Sequence, residues 1–538
     1  MRILTAGTGA LLVCLDKPEY VTALYDELLA DPPEGFIEAV LAAETVLVVF
    51  DPARTTAVNL GPRLRDAAER AARRTSSARD DMPVENQKAA VVIPVVYDGA
   101  DLEETARRAG LSVDEVVRRH TAGDYVVAFC GFAPGFGYLT GLDPTLMLPR
   151  RSVPRTRVPA GSVAISDRYT SVYPVASPGG WHILGRTTMS MWDVERQPPA
   201  LLAPGTRVRF ERVREQVTEQ ATEIVNVSAT RRTTRILADD SSASAAIEIL
   251  SAGPLTTIQD LGRTGLAAVG VGTSGAADRG SLRLANRLVG NPEDAAGLEL
   301  TYGGLRARFK TAATFALTGA PCPASIDEHE VAMDSPVSVR AGQQLAVGVP
   351  SEGLRTYLAV RGGIDIAAVL GSRSTDMLSG IGPPVLEAGT RLPIGRRVEG
   401  FPNVDIAPRR DGGGLGPAVL RVVPGPRDDW FLPEALDTLG AATFVVTNDS
   451  NRVGARLDGP ALKRRVHEEL PSEGVVSGAL QVPPDGRPIL FLADHPVTGG
   501  YPVIAVVIAA DLDRAAQLRA GDAVRFRPWA ESERSTRP

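Results

Sequence analysis

Residues 129–187 read FCGFAPGFGYLTGLDPTLMLPRRSVPRTRVPAGSVAISDRYTSVYPVASPGGWHILGRT, and residues 253–304 read GPLTTIQDLGRTGLAAVGVGTSGAADRGSLRLANRLVGNPEDAAGLELTYGG. These two segments decide how the chain folds. Both are rich in Gly, Pro, Arg and Ser. Because Gly has no Cβ and Pro fixes φ, such segments are too irregular for helices and for ordinary strands. They predict turns that present polar side chains on a rigid scaffold. One block in each half indicates two related modules joined in one chain.

The bulk composition is that of a soluble globular protein with several domains. The chain has 538 residues, of which 44% are hydrophobic and 23% charged, and its net charge is −6. This acidic balance argues against a nucleic-acid surface. There is no apolar run long enough for a membrane span, and no signal peptide, so a cytoplasmic location is expected. The cysteines and histidines show no metal-binding spacing, and no metal site is expected.

The pattern of apolar residues predicts an α+β chain that is predominantly β. Apolar runs at 9–15 and 45–50 are typical of buried strands, and helical spacing lies between them. PGTRVRF (204–210), AGQQLAV (341–347), AGTRLPI (388–394) and AGDAVRF (520–526) share a turn Gly before an alternating strand. This repetition predicts barrel or sandwich closures. The predicted units are an α/β domain over 1–90, a β unit over 91–212, a linker over 213–246, and β units over 247–400 and 416–530.

The first block is a candidate binding site for a carboxylate or a phosphate. Arg150 and Arg155 belong to a cluster of arginines, and the turns that follow expose backbone N–H groups. Arginine forks and turn amides together bind oxyanions. On the residues alone a second interpretation stays open, in which these arginines line a solvated barrel rim. The other candidate binding residues in this block are Ser162, Ser177, Gly179 and Gly180.

The second block supplies candidate acid and base groups. Asp260 lies three residues before Arg263 across a Gly turn, and Asp278 and Glu299 follow. A carboxylate beside an arginine is either a general base held in its charged form or a residue that pins a loop, and the sequence leaves both open. Polar residues at later glycine turns suit a cleft for a small polar substrate. These candidate substrate-binding residues are Arg361, Ser374, Glu473, Gln481, Thr498 and Tyr501.

Several chemistries are excluded by missing motifs. The chain has no Gly-Lys dipeptide, hence no phosphate loop of the Walker type, and no GxSxG nucleophile elbow. It also has no Met-Lys-Met biotin-attachment site and no Ser-Ser-Lys amidase pattern. We therefore expect no built-in ATP-binding or amidase domain of these classes.

At these motifs the chain resembles a known pair of families. GFAPGFGYL, PRRSVPRTRVPAGSVAI and YPVASPGGWHILGRT resemble the B-type subunit of 5-oxoprolinase, also called KipI or allophanate hydrolase subunit 1. TIQDLGRTG, SGAADRGSLRLANRLVGN, SEGVVSGALQVPPDGRPI and TGGYPVIAVV resemble the C-type subunit of 5-oxoprolinase, also called KipA or allophanate hydrolase subunit 2. The first resemblance covers residues 1–212 and the second 246–530. The chain is thus similar to a fusion of the two subunits.

The resemblance implies a fold and a function. It implies cyclophilin-like β-barrel domains in both halves behind the N-terminal α/β domain. It also implies ATP-dependent opening of 5-oxo-L-proline to L-glutamate together with a separate A-type subunit of 5-oxoprolinase, in a hetero-oligomer or homo-oligomer, with the ATP site not located. In that reaction Arg263, Arg361 and the first-block arginines would stabilise phosphate and carboxylate charge, and Asp260, Asp278 or Glu299 would move the proton.

Two other functions follow from the same resemblance. One is the carboxyltransferase component of a urea or amide carboxylase, with biotin carried by a partner. The other is a Kip-type regulator of a sensor histidine kinase, which needs no turnover.

Overall fold

The computed structural model describes residues 1–77, 89–214, 245–402, 406–408 and 416–529. The predicted linker 213–246 lies outside the described residues except at its two ends, and so does residue 530 of the last predicted unit. The described chain is mostly β, with 33% strand and 18% helix, and the prediction of a predominantly β α+β fold is confirmed. No helix in the described part of the chain is both long and apolar enough to span a membrane.

The N-terminal domain (residues 1–77) is a four-stranded antiparallel sheet covered by two helices. Alternate residues of its strands serve different faces, as the period of a strand requires. Leu11 and Val13 pack on the helices, whereas Leu12 packs with Ala267 and Val497 from the second half of the chain. Both faces of this sheet are therefore buried. The elements are β1 (Arg2–Thr5), β2 (Ala10–Cys14), α1 (Pro18–Ala30), β3 (Phe36–Leu41), β4 (Thr45–Phe50) and α2 (Ala57–Ser77), in sheet order β1-β2-β4-β3.

The first barrel (residues 91–212) follows. Its seven-stranded sheet is closed by a bridge between Val96 and Arg186, whose two backbone hydrogen bonds are both 2.9 Å long. Ser112 caps the second helix by accepting a hydrogen bond from the Glu115 N–H, as its spacing predicts. The elements are β5 (Val91–Val95), α3 (Leu102–Ala109), α4 (Val113–Ala122), β6 (Tyr125–Cys130), β7 (Gly137–Thr140), β8 (Arg155–Val158), β9 (Ser162–Ser166), β10 (Tyr169–Val172), β11 (Ser177–Gly179), β12 (His182–Arg186) and β13 (Arg207–Arg212). The sheet order is β12-β9-β10-β7-β6-β13-β5, and β8 pairs with β11 separately.

The middle domain (residues 245–393) consists of two sheets packed around one apolar core. Helix α5 (Arg279–Leu288) lies against strands of the five-stranded sheet. The strands are β14 (Ala245–Ala252), β15 (Leu255–Gln259), β16 (Gly297–Thr301), β17 (Leu305–Phe309), β18 (Ala313–Gly319), β19 (Ala324–Ile326), β20 (His329–Glu330), β21 (Val337–Val339), β22 (Gln344–Val347), β23 (Arg355–Val360) and β24 (Arg391–Pro393). The sheet orders are β20-β19-β22-β17-β14-β24 and β15-β16-β23-β18-β21.

The second barrel (residues 418–528) closes the described chain. Its elements are β25 (Ala418–Pro424), α6 (Pro433–Ala441), β26 (Phe444–Val446), β27 (Gly454–Asp458), β28 (Glu473–Gly474), β29 (Ala479–Gln481), β30 (Ile489–Phe491), β31 (Thr498–Gly499), β32 (Val503–Val507), α7 (Leu512–Ala515) and β33 (Ala523–Pro528). The closed order is β25-β32-β29-β30-β27-β26-β33, and β28 pairs with β31.

The two barrels repeat each other strand for strand. Reading β5 as the equivalent of β25 makes the two sheet orders identical, including one parallel pair in each, β5 with β13 and β25 with β33. The separate pairs β8–β11 and β28–β31 also correspond. The sequence repeats PGTRVRF and AGDAVRF lead into the equivalent strands β13 and β33. The loop after β6 and the loop after β26 are thus equivalent, and both reach the middle domain.

Candidate functional site

A buried network of charges lies where the second barrel meets the middle domain. Arg452, in the loop between β26 and β27, donates hydrogen bonds of 2.8 and 2.9 Å to the two carboxylate oxygens of Asp494. The same guanidinium donates to the Gly275 carbonyl at 2.6 Å and pairs with the Glu299 carboxylate. All three charged side chains are buried. One arginine therefore ties the second barrel to two segments of the middle domain.

Glu299, on β16, is surrounded by donors. Besides Arg452 it accepts hydrogen bonds from the Ala277 N–H at 2.9 Å and the Tyr357 hydroxyl at 2.8 Å, and Arg355 lies 3.4 Å away. Burial by itself would raise the pKa of Glu299, but the two guanidinium groups outweigh it and the pKa is lowered. The carboxylate is consequently held in its charged form.

Asp278 is the N-cap of helix α5. Its carboxylate accepts hydrogen bonds from the Ser281 N–H at 2.9 Å, the Ser281 hydroxyl at 2.7 Å and the Gln517 side-chain amide at 2.7 Å. Burial, and secondly the nearby charge of Asp513, raise the pKa of Asp278 to about 6. Gln517 belongs to the second barrel, so this cap also contributes to the junction.

The raised pKa of Asp278 predicts a pH-dependent stability. A carboxyl group whose pKa is higher in the folded state than in the unfolded state stabilises the fold most at low pH, and this contribution is lost as the pH rises through both values. Asp278→Asn keeps a good N-cap residue but removes the titration. We expect the Tm of the wild type, measured relative to that of the variant, to fall between pH 4 and pH 7 in calorimetry. Parallel Tm curves would contradict this.

Asp260 binds a loop of its own domain. Its carboxylate accepts hydrogen bonds from the Gly262 N–H (2.8 Å), the Arg373 N–H (2.6 Å) and the hydroxyls of Ser372 and Ser374 (both 2.6 Å). Of the two roles that the sequence left open for Asp260, this geometry is that of a residue that pins a loop.

Arg263 lies beside this loop and is 3% exposed. Its Nη2 donates a hydrogen bond of 2.5 Å to the Ser374 carbonyl, and its backbone N–H donates to the Thr273 carbonyl at 2.8 Å. Three predicted residues, Asp260, Arg263 and Ser374, are thus brought together.

The arginines of the first block are engaged by carboxylates of the protein. Arg155 makes a bidentate pair with Asp101, at 2.8 and 2.7 Å, and Arg151 donates to the same carboxylate at 2.6 Å. Burial would raise the pKa of Asp101, but the hydrogen bond from Arg155 and the other cationic and N–H contacts lower it. Arg150 reaches across to the second barrel and pairs with Glu469 at 3.0 Å.

The remaining residues of the first block line the β8–β11 pair and its surroundings. Ser162 is buried on β9, and the Ser177 hydroxyl on β11 has no hydrogen-bond partner among the described residues. Gly179 is required because a Cβ there would lie 2.3 Å from the Tyr173 hydroxyl. The Gly180 carbonyl accepts from the Arg151 N–H at 2.8 Å.

Of the predicted residues of the second barrel, Thr498 contacts the first barrel, whereas Glu473 and Gln481 bind within their own barrel. The Thr498 hydroxyl accepts a hydrogen bond from the Phe132 N–H of the first barrel at 3.2 Å. Glu473 pairs with Arg427 at 3.0 Å. Gln481 donates to the Tyr501 carbonyl at 3.1 Å, whereas the Tyr501 side chain is exposed.

Arg361 lies apart from the charged network. It donates to the carbonyls of Val289 (2.7 Å) and Glu399 (3.1 Å) and stacks on Phe401. It also lines a groove of about 1200 Å³ on the middle domain, where no other predicted site residue lies. The groove and the charged network are therefore different places.

The sequence did not identify Arg452, Arg355 or Tyr357, which complete the network around Glu299. The available signal for Arg452 is the equivalence of the two barrels: NDSNRVG occupies the same position between strands as GFAPGFG. This equivalence becomes visible only in the strand orders of the folded barrels.

Each half of the chain matches a known protein family. The family described as "Carboxyltransferase domain, subdomain C and D" matches residues 1–202, and "Carboxyltransferase domain, subdomain A and B" matches residues 269–528. The chain is 40% identical over 283 residues to the C-type subunit of 5-oxoprolinase from Escherichia coli, covering 52% of this chain and 90% of that protein. It is 39% identical over 202 residues to the B-type subunit of 5-oxoprolinase from Bacillus subtilis, covering 34% of this chain and 79% of that protein.

Two further similarities are to a longer enzyme and to a solved structure. Urea amidolyase of Saccharomyces cerevisiae is 34% identical over 313 residues, covering 54% of this chain but 17% of that protein. The crystal structure of TTHA0988 superposes with a TM-score of 0.80 at 32% identity, covering 96% of this chain and 99% of that chain. A single chain with both halves in this arrangement is therefore known in another protein.

Proposed function

This chain belongs to the carboxyltransferase-domain family that includes the B-type and C-type subunits of 5-oxoprolinase, and from this premise we propose that it is a fused B–C component of an ATP-dependent 5-oxoprolinase. The observation that carries the proposal is the share of each relative's length that this chain covers. The chain matches 90% of a C-type subunit and 79% of a B-type subunit, but only 17% of a urea amidolyase. It contains what two oxoprolinase subunits contain and a minor part of what a urea-processing enzyme contains.

The arrangement of the site agrees with this proposal. Activation of a planar amide requires a fixed cationic group near the carboxylate or amide oxygen and a carboxylate that stays charged. Arg263 supplies the first and Glu299 the second. Both are buried in the middle domain; Glu299 pairs with Arg452 of the second barrel, and the charge of Asp494 from that barrel acts on Arg263. Asp260 holds the turn that carries Arg263. Asp278 caps the helix that begins two residues after Ala277, whose N–H donates to Glu299.

The proposed reaction needs a partner. The relatives of both halves are by their names parts of an assembly, and we propose a protein like the A-type subunit of 5-oxoprolinase as the third part. ATP is then a co-substrate of the assembly, and the complex forms ADP, phosphate and L-glutamate from ATP, water and 5-oxo-L-proline.

The test is a reconstitution of the purified chain with an A-type partner protein. We expect ADP and L-glutamate to form in equal amounts when 5-oxo-L-proline is present, and neither product when the chain or the partner is omitted. Urea in place of 5-oxo-L-proline is the matched substrate control. If the complete mixture makes no ADP that depends on 5-oxo-L-proline, the proposal is wrong.

A carboxyltransferase is the second candidate, because both family descriptions name carboxyltransferase subdomains. In that case a partner carries carboxylated biotin, and this chain transfers the carboxyl group from the biotin to urea or another amide. The discriminating measurement is transfer of labelled carboxylate from carboxybiotin to urea without the A-type partner protein.

A further inference from the structure

Arg263 has hydrogen-bond donors that the protein does not use. Its Nε and Nη1 are buried and have no hydrogen-bond partner in the described part of the chain, and its side-chain hydrogen bond leaves from Nη2. Burial lowers the pKa of Arg263, while the charges of Asp376, Asp260 and Asp494 act in the opposite direction. A buried guanidinium without a close counter-ion is costly, so its open donors require an explanation.

The acidic neighbours do not supply the missing partner, because they are committed elsewhere. Asp260 is held by its loop. Asp494 is held by Arg452, by the Ser274 hydroxyl at 2.7 Å and by the Met377 N–H at 3.0 Å. Asp376 accepts from the Leu378 and Ser379 N–H groups at 2.9 and 3.0 Å. Each acts on Arg263 through its charge and not through a hydrogen bond.

Two more buried polar atoms without partners lie around the same segment. Gln259 donates its side-chain amide to the Thr375 carbonyl at 2.9 Å, which leaves its Oε1 unused, and the Thr375 hydroxyl is also unused. Arg263 binds the adjacent carbonyl, that of Ser374. Open donors and an open acceptor thus lie around the segment from Ser374 to Asp376, and a small polar ligand would satisfy them.

We propose that Arg263 binds the carboxylate of a small amide acid end-on, through Nη1 and the second N–H of Nη2, as Arg155 binds Asp101. The inference rests on the proposed function, and it adds which part of the substrate is recognised. Arginine forks match carboxylates geometrically. A dianionic phosphate fits less well, because Asp260, Asp376 and Asp494 already place negative charge around the site. Urea has no carboxylate and gains nothing from Arg263, so the site selects carboxylated amides over urea.

The experiment compares ligands by calorimetric titration of the full chain. The probes are 5-oxo-L-proline, 2-pyrrolidinone, which is the same lactam without the carboxylate, and N-acetylglycine, a linear amide acid. The variant is Arg263→Met. The matched control is Arg373→Met, on the same loop, because Arg373 is already satisfied by the Ile366 carbonyl at 2.6 Å and Asp365 at 3.0 Å.

We expect Arg263→Met to weaken 5-oxo-L-proline binding on the order of 100-fold, as loss of a charged hydrogen-bonded pair does, and to leave the weak binding of 2-pyrrolidinone unchanged. The Tm of the variant should equal or exceed that of the wild type, since a poorly compensated buried charge is removed. Arg373→Met should bind like the wild type. N-acetylglycine binding that depends on Arg263 supports the inference even if the 5-oxoprolinase assay fails.

Any of the following results would overturn the inference, and all of them are independent of the assay of the proposed function. The first is undiminished binding of 5-oxo-L-proline by Arg263→Met. The second is equal binding of phosphate and the amide acids, or no binding of any carboxylated amide by the wild type. The third is a clear fall in Tm of Arg263→Met, which would make Arg263 a structural residue.

Discussion

Replacing Arg452 with Met is expected to lower the free energy of unfolding by about 3–5 kcal/mol, the usual cost of breaking a buried ion pair from one side. Met fills a similar volume but leaves the Asp494 carboxylate buried without its counter-ion and leaves Glu299 with Arg355 alone. The Gly275 carbonyl loses its donor as well. The measurement is chemical denaturation together with calorimetry. The unfolding transition of the middle domain and the second barrel, which Arg452 joins, should shift most.

Two comparisons make this expectation specific. Arg487→Met removes an exposed pair with Asp458, 3.3 Å long, in the same barrel and should cost less than about 1 kcal/mol. Arg452→Met combined with Asp494→Asn should recover part of the loss, since the carboxylate left without its counter-ion is then neutral. If Arg452→Met is no more destabilising than Arg487→Met, the charged network does not hold the junction.

Contacts between residues close together in the sequence could be predicted, and contacts between residues far apart in the sequence could not. The cap of helix α4 by Ser112 is a contact over three residues, and the spacing of Ser112 and Glu115 indicates it directly. The equivalence of β13 and β33 has a weak signal in PGTRVRF and AGDAVRF, but the matching strand orders exist only in three dimensions. The repeats alone therefore predicted barrel or sandwich closures, and the family resemblance implied barrels in both halves.

The site was predictable only in part for the same reason. Asp260, Arg263 and Ser374 were recognised as residues of polar glycine turns, and the fold brings them together across 111 and more positions. Glu299 was singled out, but its partner Arg452 is 153 positions away and carries no local pattern. Arg155 was predicted to bind an anion of the substrate, and in the structure its guanidinium binds the Asp101 carboxylate, 54 positions earlier. Residue type indicates what a side chain can bind, and only tertiary structure decides what is left for it to bind.

The four folded parts of the described chain contact one another around this junction, so both halves of the chain contribute to it. The loop after β6 contacts Thr498 and the segment around Gly270, and the loop after β26 sends Arg452 to Glu299. The N-terminal sheet buries Leu12 and Leu47 against Ala267 and Val497. A change in either barrel therefore reaches the middle domain directly, through loops that occupy equivalent positions.

Gly131→Ala is expected to disrupt this junction from the side of the first barrel. The added Cβ would lie 2.0 Å from the Thr498 hydroxyl oxygen, 2.9 Å from its Cγ2 and 3.0 Å from its Cβ. Since Gly131 precedes Phe132, whose N–H donates to that hydroxyl, the loop must move away from the second barrel. Overpacking of this kind costs about 1–3 kcal/mol. We expect a corresponding loss of Tm, and at least a tenfold loss (on the order of 1.4 kcal/mol) of the reconstituted activity.

The cause of that loss can be isolated by a double-mutant cycle with Thr498→Ala. Thr498→Ala removes the hydroxyl oxygen and the Cγ2 atom, which the new methyl group would approach most closely. The double variant should therefore be more stable than the sum of the single changes predicts, by about 0.5–3 kcal/mol. Gly61→Ala is the matched control, because it lies in helix α2 with no atom within 4 Å of the new Cβ, and there the change should be neutral or slightly stabilising. Additive effects in the cycle would mean that Gly131 acts through its own backbone and that the contact between the two barrels does not set the geometry of the site.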